Sequence, residues 1–265
     1  MKQDSNAAQS LGVEQAIHGA AWGRMHGGYF SDAQVARPLV EAVRSVAEKS
    51  HPAAIVDLGG GTGFLLSQVR AAGVEKDIAL VNLDCSEAQL AVARTAELVP
   101  VFGSVNEFRR DGVVPDRGSV LWLMRSVLHY AGEAGLAPLL RHLRQQARPG
   151  ECWIHQTACF EGEEEARCLN ELYGRMHTAK WYPTRDDLRL RLEQAGWRVH
   201  SVLPAPVLHL DSAELGLRYE LGDSEIRRIG EDMAGEFGSN GEVFRLTAEG
   251  FQADLRYSIW ICEAL

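Results

Sequence analysis

The residues best able to do chemistry fall in two short stretches. In "IVDLGGGTGF" (55–64) an apolar run meets Asp57 and opens into Gly59, Gly61 and Gly63, a GxGxG spacing that leads into a helical pattern. Glycine allows positive φ and lets a ligand lie on bare backbone, while the helix start behind it offers unpaired N–H groups. In "IALVNLDCSEAQL" (78–90) a second apolar run ends at Asp84, 25 residues after Gly59, with Cys85 next to it. A carboxylate at that place can accept both hydroxyls of a ribose. The two stretches therefore ask for a nucleoside-bearing ligand lying across neighbouring strand ends.

Spacing separates two classes of such ligand. The dinucleotide fingerprint GxGxxG needs a third glycine. Counted from Gly59 that glycine falls on Phe64, and counted from Gly61 it falls on Leu66. A large side chain there opposes close packing of helix on strand, so an NAD(P)-dependent oxidoreductase is the weaker reading.

The elements that must position these residues follow from hydrophobic periodicity. From residue 54 the chain alternates: "AAIVDL", a helix over 63–72, "IALVNLD", a helix over 86–97, "LVPVF", "SVLWLM", a helix over 133–147, and "CWIHQTA". Continuously apolar strands alternating with helices specify a parallel sheet covered on both faces, an α/β architecture. Ahead of it, "VEQAIHGAAWGRM" (13–25) and "SDAQVARPLVEAVRSVAEK" (31–49) have helical spacing, the second with Ser31 and Gln34 as a capping box; Ser86 and Gln89 read the same way. Residues 160–182, opening with the acidic run Glu161 to Glu165, form a helical insertion over the sheet edge. "TRDDLRLRLEQAGWRVHSV" resumes as helix, glycine stop and strand. Residues 204–253 read as a second helical insertion and "DLRYSIWICEA" as the last strand.

Composition narrows the setting. The chain has 265 residues, 46% of them hydrophobic, and a net charge of −9 from 36 acids against 27 bases. With no basic block, nucleic acid and anionic membrane are not expected partners. No leader-like or membrane-spanning run is present, and five cysteines without a CxxC pair fit reduced thiols, so the expected location is cytoplasmic.

In order, "VDLGGGTG", "LDCSEAQL", "VLWLMRSVLHY", "ARPGECWIHQ" and "PTRDDLRLRLEQAGWRV" resemble the successive motifs of the class I S-adenosylmethionine-dependent methyltransferases, over residues 53 to 203 with the last strand also fitting. The resemblance implies a Rossmann-like seven-stranded sheet of order 3-2-1-4-5-7-6 with the last strand antiparallel. It divides the chain into a helical N-terminal lid (1–52) and a methyltransferase domain (53–265) carrying the two insertions. It implies S-adenosylmethionine as cofactor, with Asp57 and Gly59 near its methionine end, Gly61 and Gly63 shaping the turn, Asp84 on the ribose and Cys85 beside the adenine. Many relatives carry an acid after the third strand; here Ser104 in "VFGSVNEF" stands in its place. Arg125 follows the fourth strand in the cofactor-binding set, and Tyr29, after the flexible Gly27 and Gly28, is a further cofactor contact.

Methyl transfer from a sulfonium is an in-line displacement that mainly needs alignment of the acceptor and exclusion of water. His129 in "RSVLHY" is the candidate general base, its other reading being a residue that packs beneath the lid. Tyr130, Gln156, Trp181 and Tyr182 are candidate walls of the acceptor pocket. His155 and Gln156 are neighbours on a strand, so only one of them can face that pocket. No NPPY segment and no metal-binding acids follow the fourth strand, so no metal is expected. The resulting expectation is a metal-independent methyltransferase acting on a small molecule, at oxygen, with a homodimer kept open. The rivals are a non-catalytic S-adenosylmethionine or S-adenosylhomocysteine binding protein and the oxidoreductase.

Overall fold

The computed structural model describes residues 22–94, 97–114 and 118–265. The first 21 residues of the expected lid, and with them most of the helix expected over 13–25, lie outside the described residues. From Trp22 the chain forms a 3-10 segment, Trp22–Ser31, loosened by positive φ at His26, Gly27 and Gly28. There follow α1 (Ala33–Ser50), β1 (Ala54–Leu58), α2 (Phe64–Ala71), β2 (Ala79–Asp84), α3 (Glu87–Ala93), β3 (Val99–Phe102), α4 (Arg110–Val113) and β4 (Val120–Arg125). Next come α5 (Gly132–Gln146), β5 (Cys152–Ala158), α6 (Glu163–Arg175), α7 (Arg185–Gln194) and β6 (Trp197–Pro204). The chain ends with β7 (Leu208–Asp211), α8 (Ser212–Arg218), α9 (Asp223–Phe237), β8 (Phe244–Thr247), β9 (Gly250–Leu255) and β10 (Tyr257–Ala264).

Seven strands form the main sheet in the order β3-β2-β1-β4-β5-β10-β6. β1 to β5 run parallel, and β10 is antiparallel to both β5 and β6. This is the expected order, the final strand being β10. β1, at its centre, is buried at every position because each face meets helices. Ala54, Val56 and Leu58 of β1 face a core built with Leu136, Leu140 and Leu143 of α5 and Leu188 of α7. Ile55, between them, faces Leu39 and Val43 of α1 and Leu66 and Val69 of α2. The period of two along β1 thus serves two cores at once.

The second insertion is not all helix. β7, β9 and β8 form a separate three-stranded antiparallel sheet against which α8 and α9 pack. Leu208 and Leu210 of β7 are buried while His209 and Asp211 are exposed, a strand alternation only four residues long. So short a run carries little periodic signal, and helical punctuation around it dominates. For the same reason "DLRYSIWICEA" is two strands: Leu255 closes β9, Arg256 crosses between sheets, and Tyr257 opens β10. The two insertions build a third core, with Leu169, Leu172, Ile229 and Phe251 among its members, into which Tyr29 and Phe30 also pack. Arg167 and Arg175 of α6 pair with Glu236 and Asp232 of α9, joining the insertions on the outside.

Of the two expected capping boxes, the structure moves one cap by a residue and keeps the other. α1 is capped by Asp32, whose carboxylate accepts from Gln34 N at 2.7 Å and Val35 N at 3.4 Å, while the Ser31 hydroxyl turns back to Gly28 O. Ser86 does cap α3, accepting from Gln89 N at 3.4 Å.

Candidate functional site

The glycine turn between β1 and α2 sits at the carboxyl ends of the parallel strands. Gly59, Gly61 and Gly63 have φ of 76°, 57° and 76°, conformations that side-chain-bearing residues rarely adopt. Gly60 is required for a different reason. A Cβ there would lie 2.0 Å from Asn82 Oδ1 and 2.7 Å from Asp57 Oδ2. The turn is therefore drawn tightly onto β2: Gly59 N and Gly60 N donate to Leu83 O, and Asn82 Nδ2 donates to Gly61 O at 2.8 Å.

Asp84 is locked to the turn. Its carboxylate accepts from Gly61 N and from Ser86 N, each at 2.8 Å, so the loop after β1 and the loop after β2 share one anion. Asp57, one strand over, is 1% exposed, and its Oδ1 has no hydrogen-bond partner. Burial, reinforced by the nearby Asp84 charge and opposed by Arg125, pushes its pKa up to about 7. A buried carboxyl with an unsatisfied oxygen in a cleft wall is a group built to meet a ligand's donor or cation.

These residues border an open cleft at the carboxyl ends of β1, β2 and β4. Its wall brings together most of the residues singled out by sequence: Asp57, Gly59, Gly61, Asp84, Cys85, Ser104, Arg125 and Tyr130. Gly63 acts from behind, as the residue that starts α2 in the left-handed conformation. The wall also contains Phe30 and Ser126, together with Thr62, Gln89 and Val127, which sequence reasoning did not select as ligand contacts. Asn82 was missed as well, although its place two residues before Asp84 puts both side chains on one face of β2.

Other candidates lie elsewhere. Tyr29 does not border the cleft; Phe30 does. The Tyr29 ring stacks on Tyr257 at 5.8 Å, and its hydroxyl donates to Pro206 O at 2.6 Å and accepts from Gln156 Nε2 at 3.1 Å. Gln156 is accordingly fully buried under the N-terminal segment and forms no part of the cleft wall. His155 points to the opposite face, between Trp153 and Trp260, where burial depresses its pKa to about 3. Tyr182 is buried among Phe160, Tyr173 and His129, and Trp181 stacks under Arg191, so neither forms a cleft wall. His129, the expected base, is also set back. Its ring sits 4.2 Å from that of Tyr130 and 5.3 Å from that of Tyr182, and only Tyr130 reaches the cleft.

Arg125 spans β4 and the N-terminal segment. Its guanidinium donates to Phe30 O and Tyr29 O, both at 3.3 Å, and lies over both rings. Ser126 next to it has φ of 60°, a strained value for a non-glycine residue, fixed by Ser126 N donating to Gln156 O and by a 2.7 Å hydroxyl contact with Tyr257. His26 tethers the same segment to α8: its backbone N–H donates to Glu214, and Arg218 donates to its Nε2.

A seven-stranded sheet in this order, with its penultimate position taken by an antiparallel strand and a glycine turn facing an acid across the first two strand ends, defines the class I methyltransferase fold. Solved structures agree. A Bacillus halodurans protein regarded as a methyltransferase superposes with a TM-score of 0.62 at 13% identity, over 85% of this chain and 97% of its own. Magnesium protoporphyrin IX methyltransferase from Synechocystis PCC 6803, solved with bound S-adenosylmethionine, gives 0.57 at 11% identity over 97% of both chains. An O-methyltransferase family protein from Burkholderia thailandensis gives 0.53 at 14% identity, over 89% of this chain and 58% of its own. No family model matches the chain, and no curated protein matches it by sequence. Among the described residues, no helix is long and apolar enough to cross a membrane.

Proposed function

We propose that this protein is a methyltransferase that binds S-adenosylmethionine and passes its methyl group to oxygen on a small molecule, without a metal. The observation that carries this reading is the pairing of the unsatisfied Asp57 carboxyl with a glycine turn too closely packed to admit a Cβ, facing an Asp84 carboxylate fixed by backbone donors. Those features fit a nucleoside whose other end carries positive charge. Gly59 to Thr62 would lie under the amino-acid end, Asp84 would take the ribose, and Cys85 with Gly103 to Val105 would flank the base. Bound there, the cofactor supplies an already activated methyl group, so the residues mainly have to align and dehydrate the acceptor, with a base needed where an acceptor proton must leave early. Phe30, Val127 and Tyr130 exclude water at the β4 end, and Asp57 offers the charge that a cationic ligand requires.

Residues 1–52 are read as a lid and 53–265 as the catalytic domain, with the insertions at 160–182 and 204–253 shaping acceptor access. A cytoplasmic enzyme, monomeric or a homodimer, fits this reading. Calorimetric titration with S-adenosylhomocysteine, S-adenosylmethionine and NADH tests it. Binding of the first two, weakened about a hundredfold or more in Asp84→Ala by loss of charged hydrogen bonds and of the turn itself, supports the reading. Binding of NADH alone overturns it. The set-back position of His129 favours one second reading, a protein that binds the nucleoside and transfers nothing. Radiolabelled methyl transfer across an acceptor panel separates the two.

A further inference from the structure

Arg125 holds a charge that the protein matches only at a distance, through the Coulombic pull of Asp57 on the neighbouring strand. Arg125 is among the residues lining the cleft, its Nε has no hydrogen-bond partner, and its terminal nitrogens donate to the Tyr29 and Phe30 carbonyls at 3.3 Å. Among the described residues no carboxylate comes within ion-pair distance of it, although arginines elsewhere in the fold are paired, as Arg110 is with the buried Glu151 at 2.6 Å. A largely enclosed guanidinium facing two neutral carbonyls and two ring faces is costly to keep, and an incoming anion relieves that cost with short, charge-assisted hydrogen bonds.

Its position indicates which ligand supplies the anion. The nucleoside features lie on β1 and β2, and the β1 to β4 pairing ends at Asp57 and Leu123, so Arg125 lies two residues further along β4, on the side of β1 away from Asp84. Ser126, Val127 and Tyr130 continue the wall on that side. Building on the proposed methyltransferase reading, we infer that Arg125 is an anion seat that receives a ligand carboxylate at the β4 end of the cleft, and that this carboxylate belongs to the methyl acceptor. The acceptor is thus a small acid.

The bland role for Arg125, holding the N-terminal segment down, predicts something different, and a ligand-by-variant comparison separates them. Calorimetry on the full chain would compare wild type, Arg125→Lys and Arg125→Gln, each checked for folding by its melting curve. In the donor arm the probes are S-adenosylhomocysteine and its decarboxylated analogue. In the acceptor arm, with S-adenosylhomocysteine saturating, they are aromatic and aliphatic hydroxy acids, each against its primary amide. The expected result is that wild type prefers acids over amides, that Arg125→Gln loses about ten- to a hundredfold of that preference, and that Arg125→Lys retains part of it. A carboxylate-selective loss in the donor arm alone assigns the seat to the cofactor and overturns the acceptor proposal. Equal losses for charged and uncharged ligands, or no carboxylate preference in wild type in either arm, overturn it. Failure of wild type to bind any adenosyl ligand would instead overturn the methyltransferase reading.

Discussion

At the scale of single residues, the cleft is tuned by crowding and charge more than by hydrogen-bonding side chains. Asp57 shows the consequence. A carboxyl that titrates near 3.8 when unfolded and near 7 when folded holds an extra proton in the folded state between those values, so stability falls as pH rises across that window. Asp57→Asn is expected to raise the melting temperature at pH 8, by an amount on the order of a few kcal/mol in stability, and to leave it unchanged near pH 4. Calorimetric melting of both proteins at pH 4, 6 and 8 checks this, and a variant equally stabilised at all three would sink it. Gly60 gives a second test. An alanine methyl there must displace Asn82 and Asp57 together, so Gly60→Ala should lose several degrees of melting temperature and most adenosyl binding, whereas Gly73→Ala meets open space and should be affected only through its positive φ. Sequence spacing identified Gly59, Gly61, Gly63 and Asp84 because their roles are local to one turn. It missed Gly60 and Asn82 because their clash spans two strands and exists only once Asp57 and Asn82 are in register.

At the scale of elements, the main sheet was legible and the facing of individual side chains was less so. Apolar runs between helices suffice to specify a covered parallel sheet, and the motif order supplied the strand order. Whether Tyr29 or Phe30 meets the cleft, and whether Gln156 or Tyr182 lines it, depends on how the third core settles over β5 and β10, and no local pattern encodes that. β5 carries a testable burden. His155 Nε2 has no partner among the described residues, and the ring is held neutral between two tryptophans with its pKa near 3. An unfolded histidine titrates near 6.5, so the unfolded chain binds the extra proton below that value and stability is lost as pH falls from 6.5 toward 3. From pH 6.5 to 5 the loss should amount to about 2 kcal/mol. Denaturant midpoints measured at both pH values should converge in His155→Phe; an undiminished acid loss in that variant would refute the assignment.

At the scale of the whole molecule, the N-terminal segment is the junction between the sheet and its insertions. It is bound to β4 through Arg125, to the loop after β6 through Tyr29 and Pro206, and to α8 through His26. Filling the cleft should therefore be felt in the segment as well as at the glycine turn. Hydrogen exchange with and without S-adenosylhomocysteine is expected to show added protection over residues 26–31, 59–64 and 84–89, with β7, β8 and β9 unchanged. Protection confined to the turn would mean that the segment is a bystander.

The antiparallel strand has a further consequence, in time. In the main sheet β6 has a single neighbour, β10, and α8, α9 and the entire second sheet lie between them in the chain. As the polypeptide leaves the ribosome, β5 presents an open edge and β6 has nothing to pair with until that detour is complete. Closure of the sheet is therefore a late event that depends on a distant stretch of chain, and the nascent protein passes through a stage in which an apolar strand edge must be shielded from its neighbours.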